Sequence, residues 1–143
     1  MGNREIREFL KICSEILGDN LKSIVLFGSI AESKNHEFSD YDFCLILKEK
    51  CRNEFELKME IIKRFGKPVD IIFREENEIE WLLKDRSAID FEIMDKGKVV
   101  YGEDIISKYK KLFSMVIRKY NLTKKPELGK GVWEYTEREF TIK

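Results

Sequence analysis

The chain has 143 residues, of which 43% are hydrophobic and 38% are charged, and its 27 basic and 27 acidic side chains give a formal net charge of zero. This composition indicates one globular domain with its own hydrophobic core. Balanced charge argues against direct nucleic-acid binding, which needs a positive surplus or a basic stripe. No stretch approaches the roughly 20 apolar residues of a membrane span, so no membrane association is expected.

The three cysteines, Cys13, Cys44 and Cys51, are an odd number without metal-ligand spacing. We expect them to be reduced thiols in a cytoplasmic protein, because disulfides are rare in the cytosol. The charged, amphipathic opening MGNREIREFL does not resemble a secretory signal. A single histidine, His36, argues against a histidine-rich zinc site, and its position suggests a loop residue.

The first part of the chain predicts one helix followed by two strands. Apolar residues recur at three- and four-residue intervals over Asn3–Leu17, which is typical of an amphipathic helix. The run LKSIVLFG predicts a buried strand that stops at Gly28. The run DYDFCLIL, over Asp40–Leu47, predicts the second strand.

The middle of the chain continues the alternation of helices and strands. Asn53 and Glu56 have capping-box spacing at the start of a helix that Gly66 can end. Pro68–Phe73 predicts a third strand, because proline is tolerated at a strand's first position. Residues Glu75–Lys96 have a weaker apolar pattern, and we expect them to be helical.

The last part contains a short extended piece, GKVVYG, and an amphipathic helix over Asp104–Tyr120. From residue 121 the chain is polar and contains proline and glycine, which indicates a linker before an aromatic tail with Trp133, Tyr135 and Phe140. We therefore predict a domain over residues 1–120 and a linker with tail over residues 121–143. The alternation of strands and helices predicts an α/β (α+β) fold, a mixed α/β sandwich.

The start of the second strand carries the first chemical signal. Asp40 and Asp42 are two residues apart, so in a strand they lie on one face about 7 Å apart. Such carboxylates repel each other, and a divalent cation such as Mg²⁺ or Mn²⁺ relieves that repulsion. Asp70 is the polar residue of an otherwise apolar third strand; if that strand lies beside the second, Asp70 completes a site for two metals.

The end of the first strand carries the second signal. Gly28 allows the backbone to turn closely around a ligand, and Ser29 adds a hydroxyl donor. If SIAES begins a helix, its free N–H groups can hold phosphate oxygens. Taken alone, the Gly-Ser step is also typical of a simple turn. Asp-x-Asp alone is also typical of a solvated strand edge or of a helix or turn cap. The combination of the two in this order favours a ligand-binding site.

These residues resemble the DNA polymerase beta-type nucleotidyltransferase superfamily. The pattern is Gly28-Ser29, ten residues, Asp40-x-Asp42, and later the strand aspartate Asp70. The small size, the SDYDF motif and the GKVVYG segment look most like the minimal nucleotidyltransferases, often called MNT proteins. The resemblance covers about residues 1 to 110. It implies the polymerase beta-type nucleotidyltransferase fold, which is a mixed β-sheet flanked by helices. It also implies two Mg²⁺ ions bound by the three aspartates, and an NTP whose phosphates contact Gly28 and Ser29.

The resemblance also implies a partner, because many MNT proteins are antitoxins paired with HEPN-domain ribonuclease toxins. By resemblance, this chain transfers AMP from ATP to a tyrosine hydroxyl of such a toxin and silences it. Asp70 would then accept the proton of the attacking hydroxyl. Homo-oligomer formation, the base of the nucleotide and the identity of the acceptor stay open at this stage.

One departure from the family pattern affects the residues expected near the phosphates of the nucleotide. Many minimal members read Gly-Ser-x-Ala-Arg-Gly, whereas this chain has Glu32 in place of the arginine and Ser33 in place of the glycine. Either a lysine elsewhere compensates, Lys34 being the nearest in sequence, or nucleotide affinity is reduced. Glu32 is the best support for one alternative, a catalytically weak or inactive binding module that holds a partner through the aromatic tail. A separate alternative is nucleotidyl transfer to a small molecule such as an aminoglycoside.

Overall fold

The computed structural model describes residues 2–28, 41–124 and 133–135. These residues form five α-helices and six strands. In chain order they are α1 (Gly2–Leu17), β1 (Leu21–Phe27), β2 (Tyr41–Leu47), α2 (Glu54–Phe65), β3 (Val69–Glu75), α3 (Ile79–Lys84), α4 (Ala88–Lys96), β4 (Lys98–Gly102), α5 (Ile105–Lys119), β5 (Leu122–Lys124) and β6 (Trp133–Tyr135). Among the described residues, no helix is both long and apolar enough to cross a membrane.

Four strands form the central sheet in the order β3-β2-β1-β4. Strand β1 pairs antiparallel with β2 and with β4, whereas β2 and β3 run parallel. Helix α2 connects the two parallel strands, as a parallel pair requires. The mixed sheet with flanking helices, expected from the family resemblance, is therefore confirmed.

Both faces of the sheet are covered by helices. On one side, the α1 face, helices α1 and α2 pack against the sheet, and the rings of Phe9 and Phe43 stack with centroids 3.8 Å apart. On the other side, the α4 face, helices α3, α4 and α5 cover Val25, Cys44 and Ile46. Burial on two sides explains why β1 and β2 are continuous apolar runs rather than alternating ones.

The expected helical region, Glu75–Lys96, is confirmed for most of its length, but it consists of two helices. Strand β3 continues to Glu75, a 3₁₀ turn and α3 follow, and the chain then breaks before α4 starts at Ala88. At the break, Arg86 has a positive φ of 60°, which a helix cannot contain. Ser87 starts α4 by accepting a hydrogen bond from the backbone N–H of Asp90.

The capping box predicted from Asn53 and Glu56 was also wrong, since the Asn53 side chain makes no capping hydrogen bond with α2. The predicted end of this helix is confirmed. Gly66 has a φ of 71°, and its N–H donates to the carbonyl oxygen of Ile62. This left-handed residue satisfies a helix carbonyl that would otherwise have no backbone partner.

The chain after α5 forms a short antiparallel hairpin from β5 and β6. Leu122 packs against the core of the α4 face, and Lys124 forms an ion pair with Asp95 of α4. Phe140 and the side chains of Trp133 and Tyr135 lie outside the part that the structure describes. The division of the chain at residue 120 therefore stays a prediction.

Candidate active site

Two of the predicted carboxylates lie side by side in the sheet. Asp42 of β2 pairs in register with Asp70 of β3, and adjacent strands are separated by about 4.8 Å. Residues in register on neighbouring strands point to the same face, and here that is the α4 face, which Cys44 shares. Asp70 is exposed and Asp42 is half-buried, so this end of the sheet is open to a ligand.

The third described site residue, Gly28, lies directly against one of these carboxylates. Phe27 at the end of β1 pairs with Asp42, and Gly28 follows with a φ of 81°. A Cβ atom at Gly28 would lie only 2.1 Å from Oδ2 of Asp42. The position therefore requires glycine for two reasons, the left-handed backbone and the close approach of the carboxylate.

The structure thus brings together Gly28, Asp42 and Asp70, which are far apart in sequence. The other two predicted site residues, Ser29 and Asp40, lie outside the described residues, as do Glu32 and Ser33. Within the described ranges, no group of three or more histidine, cysteine or acidic residues is arranged to hold a metal ion. The roles assigned to the five residues from sequence stay predictions.

The donor set fits a hard divalent cation. Asp42 and Asp70 supply carboxylate oxygens from neighbouring positions, and Asp40 immediately precedes β2 in the sequence. Oxygen ligands of this kind suit Mg²⁺, which is often bound through one or two carboxylates and the phosphates of a substrate.

Beneath the carboxylates, the α4 face becomes apolar. Cys44 lies two residues after Asp42 on the same strand, is buried, and is a free thiol. Burial raises the pKa of the Cys44 thiol well above its ordinary value, so the thiol stays protonated and uncharged. Cys44 is thus a small core residue that closes the floor of the site.

A partly buried ion pair that the sequence reasoning missed connects β3 to α4. The Arg74 guanidinium donates to both carboxylate oxygens of Asp90, over 3.0 and 3.2 Å. The Ser87 hydroxyl donates to the same carboxylate over 2.5 Å. A bidentate pair of this kind fixes geometry as well as contributing energy. It holds the start of α4 over the strand that carries Asp70.

A sequence signal for this pair exists in the stretch DRSAID. Ser87 and Asp90 are three residues apart, which is typical of a helix start, and Arg74 is a charged residue inside a strand. Either feature indicates a buried polar partner, although neither identifies it. The pairing itself depends on where α4 crosses the sheet.

The sequence matches a family of known proteins. The family described as "Polymerase beta, Nucleotidyltransferase" matches residues 11–106. The "Putative protein adenylyltransferase MJ1305" of Methanocaldococcus jannaschii is 31% identical over 111 residues, which cover 73% of this chain and 74% of that protein. The matched region of the family includes Gly28, Asp42 and Asp70.

Solved structures show the same fold. A chain from the structure of tri-AMPylated Shewanella oneidensis HEPN toxin in complex with MNT antitoxin aligns with a TM-score of 0.56 at 16% identity, over 85% of this chain and 93% of that chain. Spectinomycin adenyltransferase from Enterococcus faecialis aligns with a TM-score of 0.60 at 19% identity, over 73% of this chain and 58% of that chain. From the family match and the Methanocaldococcus relative, the chain belongs to the polymerase beta nucleotidyltransferase family and is a nucleotidyltransferase.

Proposed function

We propose that this chain transfers AMP from ATP to a hydroxyl group in a Mg²⁺-dependent reaction. The observation that carries the proposal is the contact of Gly28 with Asp42, which lies beside Asp70 at the open end of the sheet. Paired carboxylates next to a glycine turn provide one side that can bind cations and one side that can bind phosphates. The two sides are close enough for a single ligand to contact both. In a nucleotidyltransferase, that arrangement fits a nucleoside triphosphate.

The residues have separate tasks in this reaction. The acceptor hydroxyl attacks the α-phosphorus; a bond forms from its oxygen to phosphorus, the bond from that phosphorus to the bridging oxygen breaks, and pyrophosphate leaves. Asp70, the exposed carboxylate, accepts the hydroxyl proton. Asp42 and Asp70, with Asp40, would hold two Mg²⁺ ions, which neutralise negative charge on the triphosphate. Gly28 and Ser29 orient the β- and γ-phosphates.

The acceptor that we propose is a tyrosine of a HEPN-type toxin, with the chain acting as its antitoxin. Two comparisons support this choice. The Methanocaldococcus relative is named as a protein adenylyltransferase, and the Shewanella complex pairs an MNT antitoxin with an AMPylated HEPN toxin on the same fold. A balanced net charge also favours a protein over RNA as the acceptor.

Transfer to a small molecule is the second candidate, and the likeness to the spectinomycin enzyme favours it. The two candidates differ in the acceptor and share the nucleotide site. The remaining alternative is a binding module that catalyses no reaction. It differs from both candidates because it needs no Mg²⁺ or ATP.

Asp42→Asn tests the proposal, because it removes one negative charge at nearly constant size. We expect this variant to lose Mg²⁺-dependent transfer of AMP while its thermal unfolding stays close to that of the wild type. Asp19→Asn is the matched control, since Asp19 is exposed and lies just before β1, at the far end of that strand from Gly28. Full activity in Asp42→Asn would refute the assignment of the site.

A further inference from the structure

We infer that Lys96, the last residue of α4, binds the β- and γ-phosphate groups of the nucleotide. The inference rests on the proposed function and adds a cationic residue to the same site. It comes from three observations: where α4 ends relative to Gly28, which side of the helix Lys96 occupies, and which lysines and acids near it already have partners.

Helix α4 crosses the α4 face diagonally and ends near the open end of the sheet. Its start is fixed at β3 by the pair of Asp90 with Arg74. Its end reaches β1, since a Cβ atom at Gly97 would lie 2.7 Å from Cγ1 of Val25. Val25 is three residues before Gly28, a distance of about 10 Å along a strand. A lysine side chain and a triphosphate chain together extend over that distance.

The position of Lys96 around the helix directs it toward this end. Phe91 contacts α5 through the ring of Phe113, at 5.2 Å between centroids. Helix α5 begins beyond Gly102, which pairs with Ser23 at the opposite end of β1 from Gly28. Lys96 is five residues after Phe91, about 140° around a helix of 3.6 residues per turn. It therefore lies on the side of α4 away from the contact of Phe91 with Phe113. The start of α5 reaches the end of α4 on another side, since a Cβ atom at Gly97 would lie 3.2 Å from Cδ1 of Ile106.

The charge of Lys96 is available for a ligand. Its side chain is exposed and has no hydrogen-bond or ion-pair partner among the described residues. The preceding acid, Asp95, is already paired with Lys124. Glu92, one helical turn earlier, is buried and accepts no hydrogen bond from Lys96. A cation that contacts a triphosphate bound at Asp42 and Asp70 would offset part of its negative charge.

Lys98 provides a matched control two residues later. It pairs in register with Leu26, whose side chain belongs to the core of the α1 face. Opposite residues of an antiparallel pair share one face, so Lys98 lies on the side of the sheet away from Asp42 and Asp70. Both lysines are exposed and carry the same charge at the same end of the sheet.

The test measures the dissociation constants of ATP and AMP, each with Mg²⁺, by isothermal titration calorimetry for the full chain. We expect Lys96→Ala to weaken ATP binding about 10- to 100-fold, the effect of losing a charge-assisted hydrogen bond. AMP binding should change less than threefold, Lys96→Arg should retain most of the ATP affinity, and Lys98→Ala should match the wild type. Thermal unfolding of each variant verifies that the chain is folded.

Two outcomes would overturn the inference in different ways. If Lys96→Ala and Lys98→Ala bind ATP as tightly as the wild type, Lys96 does not contact the phosphates, while the proposed function stands. If the wild-type chain binds neither nucleotide in the presence of Mg²⁺, the proposed function fails and the inference fails with it.

Discussion

Replacing Gly28 with alanine tests the geometry of the site more sharply than removing a carboxylate. The new Cβ atom would lie 2.1 Å from Oδ2 and 3.0 Å from Cγ of Asp42, so the carboxylate must move by about 1 Å or more to reach normal contact. The φ of 81° adds strain of about 1–2 kcal/mol for any residue with a Cβ. We therefore expect the melting temperature to fall by about 3–8 °C.

The effect of Gly28→Ala on activity should be larger than its effect on stability. A displacement of about 1 Å at a reacting centre reduces turnover about 100-fold, and we expect at least this loss in a steady-state assay of AMP transfer. Gly66→Ala is the matched control, because Gly66 has a φ of 71° and nothing within 4 Å of its Cβ position. It should lose similar stability and keep full activity. Equal activity in the two variants would refute the geometry described for Gly28 and Asp42.

Two further predictions concern stability. Phe9 is fully buried and stacked on Phe43, so Phe9→Ala should lower the free energy of unfolding in urea by about 3–5 kcal/mol; a loss below 1 kcal/mol would contradict the packing. Burial raises the pKa of Glu76, but hydrogen bonds from Lys108 and Lys22 lower it by more, so its folded pKa lies below its ordinary value near 4.5. Its stabilising effect should be present above about pH 4.5 and be lost as the pH falls through the folded pKa. Glu76→Gln should thus destabilise the chain at pH 7 but less at pH 3, as urea unfolding at both values can show, whereas an equal loss at both would refute the linkage.

The sheet and the position of its carboxylates were largely predictable from sequence. Continuous apolar runs in β1 and β2, and glycine at the end of α2, are local signals that the packing leaves unchanged. The side-by-side position of Asp42 and Asp70 followed from the face alternation of strands and from the assumption that β2 and β3 are neighbours. The contact of Gly28 with Asp42 was not predictable, because it depends on the antiparallel register of β1 with β2.

The sequence was least informative where tertiary contacts override local pattern. Residues Glu75–Lys96 were expected to be helical, but the break between α3 and α4 was not predicted, because it depends on how the two helices cover the sheet and on the pairing of Arg74 with Asp90. The capping role assigned to Asn53 failed for a similar reason, since side-chain spacing alone does not fix backbone geometry. Lys96 had no sequence signal of its own. Its candidacy arises from where α4 ends, from the side of the helix that Lys96 occupies and from the partners of the charged residues near it.

The most direct test of nucleotidyl transfer compares two labelled forms of ATP. The full chain is incubated with Mg²⁺ and the product of its neighbouring gene, using ATP labelled at the α-phosphate or at the γ-phosphate. We predict that only the α-label becomes attached to a tyrosine of that product, with one pyrophosphate released per transfer, and that Asp42→Asn abolishes the labelling. Transfer of the γ-label would contradict nucleotidyl transfer, and labelling that survives in Asp42→Asn would contradict the proposed site.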